Sequence, residues 1–346
     1  MKRFLLILML ALLPLSSFAD TAEESFDMKA YLFGHISDSY WWHITSWKGK
    51  EIEIPLPVIV CSREKGFSVF SSSRLEDGRK YEGYYIAGPD SKYKDKIVFK
   101  DRRGRETKPF DISITKNVLA LMISAALLLW LILACSRWYR RHDVLSEAPT
   151  GIAALLEPVI MMIDDEVIKD SIGEGYEKYS PYLLTAFFFI LINNLLGIIP
   201  FFPGGANVTG NIAVTLSLAL FTFLAVNLFG SKEYYKETFW PDVPMFLKAI
   251  PIMPVIEFIG MFTKPFSLMV RLFANILAGH ILLLSVIAMI FITAKMGPVL
   301  NGSLSVVAVL FGVFMDCLEL LVAFIQAYVF TMLSSVFIGM AHPKEK

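Results

Sequence analysis

The chain has 346 residues, of which 55% are hydrophobic and 18% are charged, and its mean hydropathy is +0.56. This composition is too apolar for an ordinary soluble domain and is typical of an integral membrane protein. The 32 basic residues balance the 32 acidic ones, so charge indicates no nucleic-acid partner. The cysteines and histidines show no metal-ligand or redox spacing, and no nucleotide-binding loop occurs in the sequence. We therefore expect no cofactor and no metal.

The chain begins with MKRFLLILMLALLPLSSFAD. Two basic residues, an apolar run of about a dozen residues and the small-x-small pattern Ser17–Ala19 are typical of a secretory signal peptide. The run is too short to cross a bilayer. We predict a signal peptide over residues 1–19, with an uncleaved anchor as the alternative.

Residues 20–116 are rich in charge and contain short alternating stretches such as EIEI at 51–54 and FSVF at 67–70. Turn signals, for example Asp77–Gly78, separate these stretches. The pattern predicts a small β-rich domain. Because it follows the signal peptide, we expect it to be exported and to cap the membrane part.

The first predicted membrane span covers residues 117–136, and Arg137, Arg140 and Arg141 follow it. The positive-inside rule places that end in the cytoplasm. Basic residues also precede the span, so the signal peptide decides the orientation. We predict a multi-pass protein of a bacterial inner membrane, with the N-terminus outside and the C-terminus in the cytoplasm.

Residues 150–178 have apolar side chains at helical spacing from Leu155 to Val167, which predicts an amphipathic helix on the cytoplasmic surface. Residues 181–230 predict a hairpin of two spans. A helix over Ile252–Ala294 would be about 60 Å long, roughly twice the thickness of the hydrocarbon core. Pro265 is a candidate helix break or first-turn residue.

Each apolar stretch is too long for one upright span, and the chain must cross the membrane an even number of times between two cytoplasmic segments. Both points favour two overlong, oblique helices that form a hairpin over residues 251–341. The predicted fold is therefore mainly α, a polytopic membrane protein with about five membrane helices and a small β-rich exported domain.

Polar residues in the first long helix form a stripe, because Ser267, Arg271, Asn275 and Gly279 recur four residues apart. A charge at bilayer depth costs about 2.5–3.5 kcal/mol or more. Snorkelling does not explain Arg271, since apolar residues flank it for several turns. The small residues favour close approach of another helix, so we interpret the stripe as a groove that presents the arginine to a mobile partner.

His280 lies nine residues after Arg271, on the opposite side of an ideal helix. On the last helix, Glu319 and Gln326 share a face, and Glu319 could form a proton relay with His280. Two interpretations stay open for His280, a relay group or a hydrogen-bonded core histidine. Glu257 likewise either lines an inner access path or lies at the membrane interface.

The run KPFSLMVRLFANILAG, residues 264–279, strongly resembles subunit a of the F-type ATP synthase. Weaker matches are NNLLGIIP at 193–200, TGNI at 209–212 and QAYVF at 326–330. The resemblance covers roughly residues 117–341. It implies a stator subunit that forms two half-channels beside a rotating ring of c subunits, within a complex that includes the peripheral-stalk b subunit.

The resemblance also implies roles for single residues. Arg271 would meet the carboxylate of a c subunit, and a permanent cation favours the ionised form of that carboxylate. Asn275 and Gln326 match positions beside the arginine. His280 and Glu319 match the outer half-channel, and Glu257 matches the inner one. The groove facing the ring would contain Ser267 and Gly279.

The sequence departs from the family at three places. Some members carry the acid and the histidine of the outer half-channel in the reverse order, some carry an acid where Gly197 stands, and better-known members lack the exported domain. The chain is not expected to be an enzyme by itself. The alternatives are a stand-alone ion-coupled secondary transporter, which would predict internal repeats, and an intramembrane protease, for which no catalytic signature occurs.

Overall fold

The computed structural model describes residues 37–47, 50–88, 91–143, 147–199, 202–239, 252–293 and 297–342. The predicted signal peptide lies outside these residues. The chain divides into a major unit, residues 36–278 with 318–346, and a minor unit that contains residues 279–317 together with 1–35.

The domain predicted to be exported contains the strands β1 (Trp41–Trp47), β2 (Lys50–Pro55), β3 (Pro57–Ser62), β4 (Gly66–Ser71), β5 (Tyr84–Ile86), β6 (Ile97–Lys100), β7 (Glu106–Thr107) and β8 (Phe110–Asp111). They pair antiparallel in three sheets, with the orders β1-β2, β4-β3-β8 and β5-β6-β7. This confirms the predicted β-rich region.

Strand β3 shows why these residues pair as a sheet. Its side chains alternate between buried and more exposed positions, as expected for a strand with one covered face. Val58 and Val60 are fully buried and pack in one core with Tyr84 and Ile97. The domain predicted to be exported therefore has a hydrophobic core of its own.

Helices and the loops between them make up the rest of the described chain, which confirms a mainly α, multi-pass membrane protein. The α-helices of eight residues or more are α1 (Lys116–Arg141), α2 (Ile152–Met161), α3 (Ser180–Ile198), α4 (Ile212–Leu228), α5 (Lys232–Phe239), α6 (Ile252–Thr293) and α7 (Pro298–Ala341).

Four of the described helices, α1, α3, α6 and α7, are long and apolar enough to cross a membrane. Helix α4 is apolar but has only 17 residues, which corresponds to about 26 Å. The predicted count of about five membrane helices thus includes one helix shorter than a usual span. Asn211 fixes its start, because its side chain accepts a hydrogen bond from the backbone N–H of Ala213 at 3.0 Å.

The amphipathic segment differs from its predicted form. Helix α2 contains Pro158 and continues as a π-helix over Met162–Lys169. Leu155, predicted on the apolar face, is 72% exposed, and Leu156 is buried instead, whereas Ile163 and Val167 of the predicted face are 0% and 2% exposed. Proline removes a helical hydrogen bond and a π-helix turns more widely, so the segment is not one regular α-helix.

Helix α6 is continuous through Pro265, so neither a break nor a helix start occurs there. Membrane helices tolerate an internal proline because neighbouring groups and local adjustments satisfy the freed backbone. Both α6 and α7 contribute residues to both units.

Candidate functional site

One face of α6 anchors the helix to the rest of the major unit. Leu268, Leu272 and Ile276 recur four residues apart and are 1–3% exposed. They belong to the central core of the major unit, which also includes residues of α3 and α7. This packing fixes the rotation of the helix about its axis.

Residues of the predicted polar stripe each stand one position before a residue of this anchored face. Ser267, Arg271 and Asn275 are all exposed, and so is Ala274. The structure therefore places the arginine on the outer surface of a membrane helix, among short side chains. A partner helix can approach closely where side chains are small.

Arg271 carries a permanent positive charge. Within the described ranges of the chain, no acidic side chain forms an ion pair with it. A charge at bilayer depth is costly unless it is paired or faces water. The geometry therefore calls for a counter-charge outside the described chain.

Helix α7 carries Glu319 and Gln326 on its covered side, and they are 6% and 7% exposed. Ala323 lies between them and is fully buried. Residues four and three apart share a helix face. Both predicted polar groups therefore face protein rather than the outer surface of the described chain.

A buried polar connection that the sequence reasoning missed lies behind this face. The side-chain amide of Asn194 donates to the carbonyl oxygen of Ala323 at 3.1 Å, and the hydroxyl of Thr209 donates to Oδ1 of Asn194 at 2.6 Å. Asn194 and Thr209 are 3% and 1% exposed. Both occurred in the family-like motifs, but only the fold shows that they join α3, the loop before α4 and α7.

The other predicted site residues are more dispersed. Glu257 is exposed on the early part of α6. Lys264, which begins the family-like run, is partly buried, and its ammonium lies 5.7 Å from the ring centroid of Phe337. His280 and Gly279 belong to the minor unit and are both partly buried. The predicted relay between His280 and Glu319 stays a prediction.

A family model described as ATP synthase A chain matches residues 118–339, which is more than half of the chain. The chain belongs to the ATP synthase A chain family. Two relatives named ATP synthase subunit a illustrate the similarity. The protein from Chloroherpeton thalassium is 44% identical over 243 residues, 68% of each chain. The protein from Myxococcus xanthus is 40% identical over 238 residues, 67% of this chain and 73% of its own.

Membership in this family makes the chain a proton-translocating stator subunit of ATP synthase, a membrane subunit of the complex rather than an enzyme by itself. The comparisons do not favour the stand-alone transporter. A second family model, described as a domain of unknown function (DUF8433), matches residues 31–116. The domain predicted to be exported is therefore recognisable as a domain apart from the membrane region.

Proposed function

We propose that the chain forms two offset half-channels beside a ring of c subunits and that Arg271 is the fixed cation opposite the carboxylate of each passing c subunit. The observation that carries this proposal is the exposed position of Arg271 on the polar stripe of α6, together with the lack of an acidic ion-pair partner in the described ranges.

The guanidinium explains how such a site would separate the two half-channels. It cannot lose its proton at any ordinary pH. A cation close to a carboxylate favours the ionised form, so a protonated c subunit would release its proton on reaching Arg271. The same charge repels protons and thereby suppresses direct leakage between the half-channels.

The surroundings of Arg271 suit a moving partner. Ser267 and Ala274 are short and exposed, which allows a second helix to approach. Asn275 lies one turn further along the same stripe and supplies a neutral hydrogen-bonding group. Gln326, buried on α7, is proposed to orient the arginine.

The two access routes use different residues. His280 and Glu319 are proposed to line the outer half-channel, and exposed Glu257 is proposed to line the inner one. We also propose that the N-terminus lies outside and the C-terminus lies in the cytoplasm of a bacterial inner membrane, as the predicted signal peptide indicates. The peripheral-stalk b subunit is the proposed stationary partner.

The first experiment tests the role of the charge in the complete complex, reconstituted in vesicles. Arg271→Ala should abolish proton-driven ATP synthesis while leaving the amount of assembled complex largely unchanged. Arg137→Ala removes another exposed arginine of a membrane helix, outside the stripe, and is the control. Wild-type synthesis in the Arg271→Ala vesicles would contradict the proposal.

The second experiment tests which face meets the ring. Asn275→Cys should form disulfide cross-links with cysteines placed on the outer helix of a c subunit, in a background without Cys61, Cys135 and Cys317. Leu272→Cys is the matched control, because Leu272 is 1% exposed on the anchored face. Equal cross-linking at both positions would contradict the proposed ring-facing groove.

A further inference from the structure

We infer that the exported domain positions the last membrane helix at the outer half of the proton path, through a continuous series of buried contacts that starts at Trp42. This inference rests on the proposed function of Glu319 and Gln326. The match to the ATP synthase A chain model does not cover this domain, and the inference assigns a role to it.

The series begins where the exported domain contacts the loop between α3 and α4. Trp42 of β1 is 2% exposed and packs edge-on against Phe202, with ring centroids 5.2 Å apart. Ala206 and Val208 of the same loop, 3% and 1% exposed, belong to the same cluster as Trp42. A buried tryptophan contributes a large contact area, so this contact fixes the loop to the exported domain.

A second attachment keeps the domain in place over the membrane region. The backbone N–H of Lys116 donates to the carbonyl oxygen of Ser39 at 2.9 Å, and the backbone N–H of Asn117 donates to Oδ1 of Asp38 at 3.0 Å. These bonds satisfy backbone donors in the first turn of α1. The exported domain is therefore held at both the start of α1 and the loop.

The loop itself is closely packed. Gly204 is required there, since a Cβ at this position would lie 2.5 Å from the carbonyl oxygen of Ile199. The backbone N–H of Gly205 donates to the carbonyl oxygen of Leu196 at 3.2 Å. A displacement of Val208 would therefore move the neighbouring Thr209 with it.

Thr209 connects the loop to the membrane helices. Its hydroxyl donates to Asn194, and Asn194 donates to the carbonyl oxygen of Ala323. All three residues are buried, where unpaired polar groups are unfavourable and hydrogen bonds are strong. The extra bond to a helix carbonyl fixes the height and rotation of this turn of α7.

The turn that is fixed carries the proposed proton-path residues. Glu319 lies one turn before Ala323, and Gln326 lies three residues after it. Movement of this carbonyl would move both side chains, because they belong to the same helix face. Trp42, Val208, Thr209 and Asn194 are therefore positioning residues, and none of them is assigned contact with the transported proton.

The experiment uses the assembled complex in nanodiscs and in vesicles, with the amount of complex measured for each variant. Trp42→Ala removes the first contact. Val208→Ala weakens the same contact from the loop side and leaves the exported domain intact. Phe67→Ala, at a 66% exposed aromatic of the same domain, is the control.

The direct readout is hydrogen exchange of residues 319–327. We expect exchange about tenfold faster in Trp42→Ala and a smaller increase in Val208→Ala, with none in Phe67→Ala. Thr209→Val should match Trp42→Ala, since it removes the donor to Asn194, and Thr209→Ser should restore slow exchange.

The functional readout is proton-driven ATP synthesis as a function of the outside pH at fixed inside pH. The midpoint should shift by at least about half a unit in Trp42→Ala and Thr209→Val. A purely structural contact would lower the rate in proportion to the amount of complex and leave both the exchange of residues 319–327 and the midpoint unchanged.

The two readouts separate the inference from the proposed function. Unchanged exchange of residues 319–327 in Trp42→Ala, Val208→Ala and Thr209→Val would overturn the inference, whatever happens to transport. Faster exchange with an unchanged midpoint would support the positioning and count against the outer path through Glu319. Faster exchange with a shifted midpoint would support both.

Discussion

The hydroxyl oxygen of Tyr179 lies 2.8 Å from Nε2 of His342, and the ring centroids are 5.2 Å apart. Nδ1 of His342 lies 3.1 Å from the carbonyl oxygen of Ile338. A carbonyl only accepts, so Nδ1 donates, and in a neutral imidazole Nε2 then accepts the hydroxyl proton of Tyr179. This contact joins the residue before α3 to the residue after α7.

Tyr179→Phe removes this hydrogen bond and retains the ring. We expect a loss of about 1 kcal/mol in stability, measured as a lower dissociation temperature of the purified complex at neutral pH. Tyr176→Phe, at a partly buried tyrosine of the same core, is the control. Equal shifts for both variants would show that the bond to His342 does not hold the end of α7.

Gly339 allows the end of α7 to approach the turn after the π-helix. A Cβ at this position would lie 2.3 Å from the carbonyl oxygen of Ser171. Alanine normally favours a helix over glycine by about 1 kcal/mol. Gly339→Ala should nevertheless reduce the amount of assembled complex, because backbone must move to admit the methyl group.

The matched control for this substitution is Gly312→Ala, also on α7, where nothing lies within 4 Å of an added Cβ. Assembly is measured by native gel electrophoresis of solubilised membranes. We expect normal assembly for Gly312→Ala. Normal assembly for both variants would mean that α7 and the Ser171 turn separate at little cost.

The long membrane helices could be predicted closely from the sequence. Helix α6 was expected over Ile252–Ala294 and covers Ile252–Thr293, because a sustained apolar run fixes both length and class. The exposure of Leu155 and the π-helix after α2 could not be predicted, since an apolar pattern at helical spacing does not show which of two adjacent leucines meets the core or where the hydrogen bonding changes.

The site was only partly predictable, for a different physical reason. The stripe around Arg271 follows from helical spacing alone. The bond from Asn194 to Ala323 joins residues 129 positions apart, and no local pattern indicates which amide meets which carbonyl. The packing of Trp42 against the 202–211 loop likewise depends on the tertiary fold.

A carboxylate network in the domain predicted to be exported gives a prediction for the pH dependence of its stability. Oε2 of Glu106 accepts a hydrogen bond from Ser91 at 2.6 Å, and Oε1 accepts one from Tyr85 at 2.7 Å. The bond from Ser91, followed by that from Tyr85, lowers the pKa of Glu106 below its ordinary value. Burial, followed by the bond to Glu106, raises the pKa of Tyr85 to about 12.

The direction in which stability changes with pH follows from the difference in pKa between the folded and unfolded states. The contribution of Glu106 to stability is present above its ordinary pKa and is lost as the pH falls through the lowered value. That of Tyr85 is present below its ordinary pKa and is lost as the pH rises through about 12. Ser91→Ala should raise the pKa of Glu106 more than Tyr85→Phe does.

Carboxyl-carbon chemical shifts recorded against pH measure these values, with Glu106→Gln to assign the resonance. Glu64, an exposed glutamate of the same domain, provides an internal reference. An unchanged pKa of Glu106 in Ser91→Ala would contradict the dominant role of the serine hydroxyl.

The proposed relay between His280 and Glu319 predicts coupling between two substitutions. If one proton passes between the two groups, removal of either stops the same step, so the second substitution adds little. His280→Ala and Glu319→Ala should each impair proton flux, and the double variant should be no worse than the poorer single variant. Asp316→Asn, one turn before Glu319, is the control for loss of a nearby carboxylate.

An exchange of the two residues sharpens this test. His280→Glu alone leaves two acids, and Glu319→His alone leaves two imidazoles, so both lose the paired chemistry. The double variant His280→Glu with Glu319→His restores one acid and one imidazole, which titrate at different pH. It should therefore carry more proton flux than either single exchange, measured as quenching of a pH-sensitive dye in vesicles. Strictly additive losses in both series would show that the residues act independently and would contradict the relay.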